Sequence, residues 1–184
     1  MDAYLDAVLL GGPEHREIVI ADHDPAWAHR FVLLATGVRG ALGTAVLGLE
    51  HVGSTAVPGL AAKPVVDALL LVRCVEDEDA YVPPLGPLGL VLRVREPGHR
   101  MLRTPARDVH LHVHEPGHPE VGALLDLRDW LRVSAADRAR YAATKRALAE
   151  RDWPDMNHYA AAKTDVVRAM LSRARVWRAG GSPA

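Results

Sequence analysis

The run Glu50-His51-Val52-Gly53-Ser54-Thr55-Ala56-Val57-Pro58-Gly59-Leu60-Ala61-Ala62-Lys63-Pro64-Val65-Val66-Asp67 sets a hydroxyl, a lysine and a carboxylate around one turn between two apolar stretches. Asp67 opens the second stretch, Asp67-Ala68-Leu69-Leu70-Leu71-Val72. A carboxylate in such a strand is costly to bury unless it is paired, hydrogen-bonded or bound to a metal. The Gly53-Ser54 turn offers free backbone N–H groups and a hydroxyl, which together suit a phosphate. Lys63 is held extended by Pro64 and could partner a phosphate or carboxylate. With no ligand in view, the same residues read as a tight turn capped by Ser54 and Thr55, with Lys63 solvated.

A second set of candidates lies in Asp108-Val109-His110-Leu111-His112-Val113-His114. Strand alternation places His110, His112 and His114 on one side and Leu111 and Val113 on the other. Imidazoles so spaced could bind zinc, manganese, iron or nickel, shuttle protons, or donate to a phosphate. His114, beside Glu115-Pro116-Gly117, reads as a strand end and ranks below His110 and His112. Arg93, Arg95, Arg100, Arg103 and Arg107 precede this strand, and Arg100 and Arg103 are the better candidates for an anionic substrate. Glu50 and His51 are neighbours on a strand, so one faces the site and the other a packing element; the sequence leaves open which.

These segments, with Arg128-Asp129-Trp130-Leu131-Arg132, Pro25-Ala26-Trp27, Tyr141, Lys145, Tyr159 and Lys163, resemble the GrpB family, also called UPF0157, of the nucleotidyltransferase-fold superfamily. The resemblance covers roughly residues 17–172. It implies an α+β fold with a mixed sheet, a site on one sheet face, and helices behind and at the C-terminal side. The superfamily pattern is a Gly-Ser turn, a strand with two acids one residue apart, and a third acid on a later strand. Gly53-Ser54 and Asp67 fit, but position 69 is Leu and imidazoles stand on the third strand. Two carboxylates at 67 and 69 would share a face and clamp two magnesium ions, so Leu69 puts ordinary two-magnesium chemistry in doubt.

The resemblance implies an enzyme transferring a nucleotidyl or other activated group to a phosphorylated or activated small molecule. Asp67, His110 and His112 would be catalytic and metal-binding; Gly53, Ser54, Lys63, Arg100, Arg103, Tyr159 and Lys163 would bind substrate phosphate. Glu50, His51 and His114 are further possibilities. The cofactors implied are a divalent metal, magnesium or manganese with zinc possible, and a nucleoside triphosphate. One alternative keeps the site but transfers an acyl or aminoacyl group, drawing on an aminoacyl-tRNA or ATP, with imidazole as base. Another is a non-catalytic nucleotide- or metal-binding module.

Stepping outward, 184 residues with 49% hydrophobic content suffice for one domain with a substantial core. A net charge of -1 gives no bulk attraction to nucleic acid or membrane, so an anion such as tRNA needs a local patch. The single Cys74 excludes an intrachain disulfide framework and fits a reducing compartment. With no long apolar run and no basic signal region, a soluble cytoplasmic protein without a membrane partner is expected.

The elements expected to position the site run as follows. Residues 1–16 are a weakly patterned lead-in, residues 17–178 the domain, and 179–184 a disordered tail. A short strand is expected at 17–21, then a helix entered at Asp24-Pro25 with Trp27, Phe31, Leu34 and Val38 at helical spacing. Residues 45–52 and 65–72 read as central strands, with a helical turn at 57–62 between them. Glu76-Asp77-Glu78-Asp79 reads as the solvated start of a short helix, and 83–87 as a loop. Residues 90–95, 100–104 and 108–114 read as an antiparallel run. Helices are expected at 119–133, 135–152 and 155–177, with Ser134 and Asp137 as a capping-box variant. Tyr141 with Lys145, and Tyr159 with Lys163, are four apart and share helix faces. The basic excess of these helices could meet phosphates or simply solvent.

Overall fold

The computed structural model describes residues 4, 7–12, 14 and 17–181. In chain order its elements are helix α1 (Ala26–Leu42), strands β1 (Gly48–Val52) and β2 (Val66–Leu71), the single-turn helix α2 (Val82–Leu85), strands β3 (Val91–Glu96), β4 (His99–Arg103) and β5 (Val109–His114), and helices α3 (Pro119–Val133), α4 (Ala135–Ala149), α5 (Met156–Ala161) and α6 (Thr164–Arg178). The five strands form one mixed sheet in the order β1-β2-β5-β4-β3. Among the described residues only the central β2–β5 strand pair is parallel; the other strand pairings are antiparallel. The α+β class expected from the sequence is therefore the class observed.

Strand alternation divides the sheet into two faces. On one, Leu49, Ala68, Leu70, Leu102, Leu111 and Val113 pack with Ala35, Val38 and Leu42 of α1 and with Tyr81 and Leu85. The Tyr81 hydroxyl donates to Val75 O at 2.6 Å, so its polar end is satisfied inside this core. On the other face Val52 and Leu69 meet Val121, Leu124 and Leu125 of α3. A further core joins Val57, Leu60 and Ala61 of the turn region to Trp130, Leu131, Tyr141, Ala142, Met170 and Ala174 of the C-terminal helices. The turn carrying Gly53-Ser54 is thus clamped between the sheet and those helices.

Local chemistry explains the helix ends. Asp24 Oδ1 accepts from Ala26 N at 2.8 Å where α1 begins, and Ser134 Oγ accepts from Asp137 N at 3.3 Å at the start of α4, both as expected. Asp155 caps α5 by accepting from Asn157 N and His158 N.

Several expected elements differ. The strand at 17–21 is reduced to a single bridge, Ala21 with Ala62, because this segment runs along the turn region instead of joining the sheet. The helical turn between β1 and β2 falls at Ser54–Ala56 instead of 57–62. Residues 83–87 are not a loop: Pro83 and Pro84 sit in the first turn of α2, where a missing N–H costs nothing, and a 3-10 turn follows at Gly86–Leu88. The last helix is broken into α5 and α6 around Ala162-Lys163. Glu76 and Glu78 are not merely solvated, since they bind Arg100 and Arg95. Within the lead-in, Leu9 bridges Val94 and Leu10 N donates to Arg93 O at 2.9 Å, so this segment lines the β3 edge. Pro13 and the tail residues Ser182, Pro183 and Ala184 lie outside the described residues. Among the described residues no helix is long and apolar enough to cross a membrane.

Candidate functional site

The site begins at the parallel pair. The β2–β5 register sets Asp67 opposite His110 and Leu69 opposite His112, so all four side chains share the face that α3 only partly covers. Asp67 Oδ1 lies 3.3 Å from His110 Nδ1 and 3.9 Å from His112 Nε2. One ligand atom from each of the three lies within 4.8 Å of the others. Burial pushes the Asp67 carboxyl up, but hydrogen bonds and charge from His110 and His112 outweigh it and hold the group far below the usual carboxylate range.

Gly53 makes this arrangement possible. Its φ of 69° lies in the left-handed region, and a Cβ there would stand 2.5 Å from Asp67 Oδ2. Only a residue without a side chain lets the turn close against the carboxylate. Leu69 occupies the position of the missing second acid, is fully buried, and packs on Val52 and Val121. The cluster therefore offers one carboxylate and two imidazoles. Oxygen-seeking magnesium is poorly served by that set, whereas manganese, iron or zinc is well served.

Lysines gather on the other side of the Gly-Ser turn. Lys145 Nζ, almost wholly buried, donates to Ser54 Oγ at 3.0 Å and to Ala61 O, and sits 4.6 Å from the centre of the Tyr141 ring. Burial pushes its ammonium down to about 7, with Lys163, Arg146 and Lys63 adding repulsion. Lys163 and Lys63 lie 4.4 Å and 5.4 Å from the Tyr159 ring centre. Burial, then Lys63, pushes Lys163 down to about 8. Asp67 opposes both shifts, which ties the lysine group electrostatically to the imidazole cluster. The Tyr159 hydroxyl is buried without a hydrogen-bond partner among the described residues.

The remaining candidates separate. Arg103 pairs with His110 across β4–β5 and shares the site face. Arg100 does not: three positions away, it points to the opposite face, where it bonds Glu76, Glu78 and the carbonyls of Glu96 and His99. Its guanidinium is taken up by these partners on the face away from the Asp67–His110–His112 cluster. Glu50 faces the site side but is held by Arg128 at 2.8 Å. His51 faces the other way, stacked on Phe31 at 4.8 Å with Nε2 3.1 Å from Thr55 Oγ1. Burial pushes His51 down to about 4, so it stays neutral and belongs to the core.

His114 shares the face but not the cluster. Its ring is fully buried between those of His99 and His118, Nδ1 meets Gly98 O at 3.0 Å, and Nε2 lies 3.3 Å from Glu120. With His99 and Glu120 it forms a separate group of potential ligands. The two groups touch where His99 Nε2 meets His112 Nδ1 at 3.2 Å.

The sequence marks Lys145 through the GrpB resemblance and its i,i+4 pairing with Tyr141, but not among the phosphate-binding candidates; its burial against Ser54 emerges only in the fold. The role of Arg128 and Arg132 also emerges only in three dimensions. Arg128 donates to His51 O at 3.1 Å and Arg132 Nη2 to Ala56 O at 2.9 Å, so one turn of α3 holds the backbone on both sides of Gly53-Ser54.

The family model described as "GrpB protein" matches residues 17–173. A UPF0157 protein of Streptomyces coelicolor is 50% identical over 166 residues, covering 90% of this chain and 89% of its own. A UPF0157 protein of Halalkalibacterium halodurans is 43% identical over 178 residues, covering 94% and 91%. The crystal structure of the conserved protein GrpB from Enterococcus faecalis superposes with a TM-score of 0.77 at 28% identity, covering 86% of this chain and 99% of that one. With the family model spanning the whole sheet and the helices that brace it, the chain belongs to the GrpB family.

Proposed function

We propose that this protein is a metal-dependent group-transfer enzyme acting on a nucleoside triphosphate or a similarly activated phosphate compound. The observation that carries the reading is the joining, through Asp67 and the Gly53-Ser54 turn, of a carboxylate–imidazole cluster to three lysines. Ammonium groups that burial has made more acidic are expensive to keep charged. Their convergence at a serine turn is accounted for if an anion shares the space.

In this reading Ser54 and the turn backbone hold a phosphate, with Lys63, Lys145 and Lys163 neutralising it. Asp67, His110 and His112 would hold one divalent transition ion, which when bound would supply positive charge to phosphate oxygens. Gly53 keeps the carboxylate against the turn, and Arg128 and Arg132 fix the turn itself. His110 or His112, if not engaged by the ion, could take a proton from the acceptor. Transfer of an acyl group from an activated acid would use the same residues.

Leu69 favours a second reading, a binding module without turnover, because the two-acid clamp is absent. Calorimetric titration of the protein with manganese, ATP, and both together separates these possibilities. The enzyme reading expects the pair to bind more tightly than either alone, with phosphate or pyrophosphate released when candidate acceptors are supplied. Binding without any release across acceptors would support the module. No binding of either probe would refute both.

A further inference from the structure

A cavity of about 490 Å³ opens beside His110, within the size range of small-molecule sites. Lys63 and His110 line it toward the site already described, and Arg93, Arg103 and Arg107 line it toward the N-terminal segment. The three guanidinium groups converge on one side chain, Glu14. Arg103 forks onto its carboxylate at 2.6 Å and 2.9 Å, while Arg107 and Arg93 approach to 3.4 Å and 3.9 Å.

Two backbone irregularities aim these arginines. Arg93 sits where the β3–β4 register slips between Leu92 and Val94, and such bulges redirect a side chain. Arg107 has φ of 60°, the one non-glycine residue with positive φ among those described. An arginine held in that conformation is paid for elsewhere in the fold, a pattern that gathers at ligand-binding positions. The redirected Arg93 binds the carbonyls of Leu10 and Gly12, so tethering the N-terminal segment accounts for the bulge but not for Arg107 turning its guanidinium toward Glu14.

We propose that this cavity binds a small organic acid whose carboxylate takes the place of Glu14 on Arg103 and Arg107, with the rest of the molecule reaching toward His110 and Lys63. Glu14 is then an internal stand-in that keeps the arginines paired until the acid arrives. Arg103 supplies the planar fork that distinguishes a carboxylate, Arg107 adds charge, and Arg93 closes the far side. Identifying this acid as the group acceptor rests on the function proposed above; its binding does not.

The test is an NMR titration of the arginine Nε–Hε resonances with succinate, using phosphate and sulfate as comparison anions. Glu14 competes intramolecularly, so the parent should bind succinate weakly and Glu14→Gln roughly tenfold more tightly. Arg103→Met in the Glu14→Gln background should abolish the response. Asp67→Asn should leave it intact while removing metal binding, which separates this proposal from the metal reading. Should Glu14→Gln prove unstable, saturation of the parent Arg103 resonance by succinate carries the same test. The proposal is overturned if succinate produces no saturable shift, if phosphate or sulfate binds as well as succinate, or if Glu14→Gln binds succinate no better than the parent.

Discussion

At the residue scale, the site is governed by a few close approaches. A methyl group at position 53 would collide with Asp67 Oδ2, and φ of 69° is unfavourable for any L side chain. Gly53→Ala should therefore cost about 1–3 kcal/mol in urea unfolding and weaken manganese binding by roughly tenfold or more as the carboxylate is displaced. A retained metal affinity would detach the turn from the cluster. Lys145 shows the opposite balance. Its buried ammonium is unfavourable for folding, so Lys145→Met should leave the melting temperature no lower at neutral pH while ATP affinity drops at least about tenfold. The sequence displays the types and order of these residues, and the fold sets the Gly-Ser turn, Asp67 and both imidazoles next to one another. The sequence could not display burial, which distinguishes Lys145 from an ordinary surface lysine on a basic helix.

At the element scale, register decides which side chains cooperate. Alternation in β5 was legible and correctly put His110, His112 and His114 on one face. The same rule shows why Arg100 and Arg103 separate: residues three apart on a strand point to opposite faces, so only Arg103, opposite His110, reaches the site. That His114 belongs with His99 and Glu120 depends on the β4–β5 pairing and on α3, neither of which its own strand encodes. Leu69 is the sharper case. It is a core residue against Val52 and Val121, and a carboxylate there would be buried among apolar groups. Leu69→Asp should destabilise the protein by about 3 kcal/mol in denaturant unfolding without creating magnesium-dependent activity. A stable variant with two-magnesium behaviour would show the apolar packing to be dispensable.

At the scale of the whole molecule, the C-terminal helices act as one brace. Asp137 accepts from Trp130 Nε1 at 2.6 Å and from Arg173 through two bonds, linking α3, α4 and α6. The same assembly presents Lys145 and Lys163 to the turn on β1–β2, and this couples stability and binding to pH. Both lysines fall from an ordinary value of 10.5 to about 7 and about 8 in the fold. Between those values and 10.5 the unfolded chain binds more protons, so this contribution to stability rises with pH across that window and is least favourable below about 7. A bound anion favours the charged lysines. ATP binding at pH 8 should therefore take up protons, visible in calorimetry across buffers of different ionisation enthalpy, and should weaken as pH climbs further. Proton release or pH-independent affinity would place the anion elsewhere. This coupling was not legible in the sequence, where the helices showed only a basic surplus. The fold class was legible because apolar runs and turn residues are local, whereas the break between α5 and α6 and the shrunken strand at 17–21 are set by distant packing. The central claim is that one carboxylate and two imidazoles hold a single transition ion beside a phosphate site. The most direct measurement is manganese binding by electron paramagnetic resonance, with and without ATP, in the parent, Asp67→Asn and His112→Ala. The account expects one manganese per chain in the parent, tightened by ATP, and loss of more than about 100-fold in either variant. Unchanged manganese stoichiometry and affinity in both variants would contradict it.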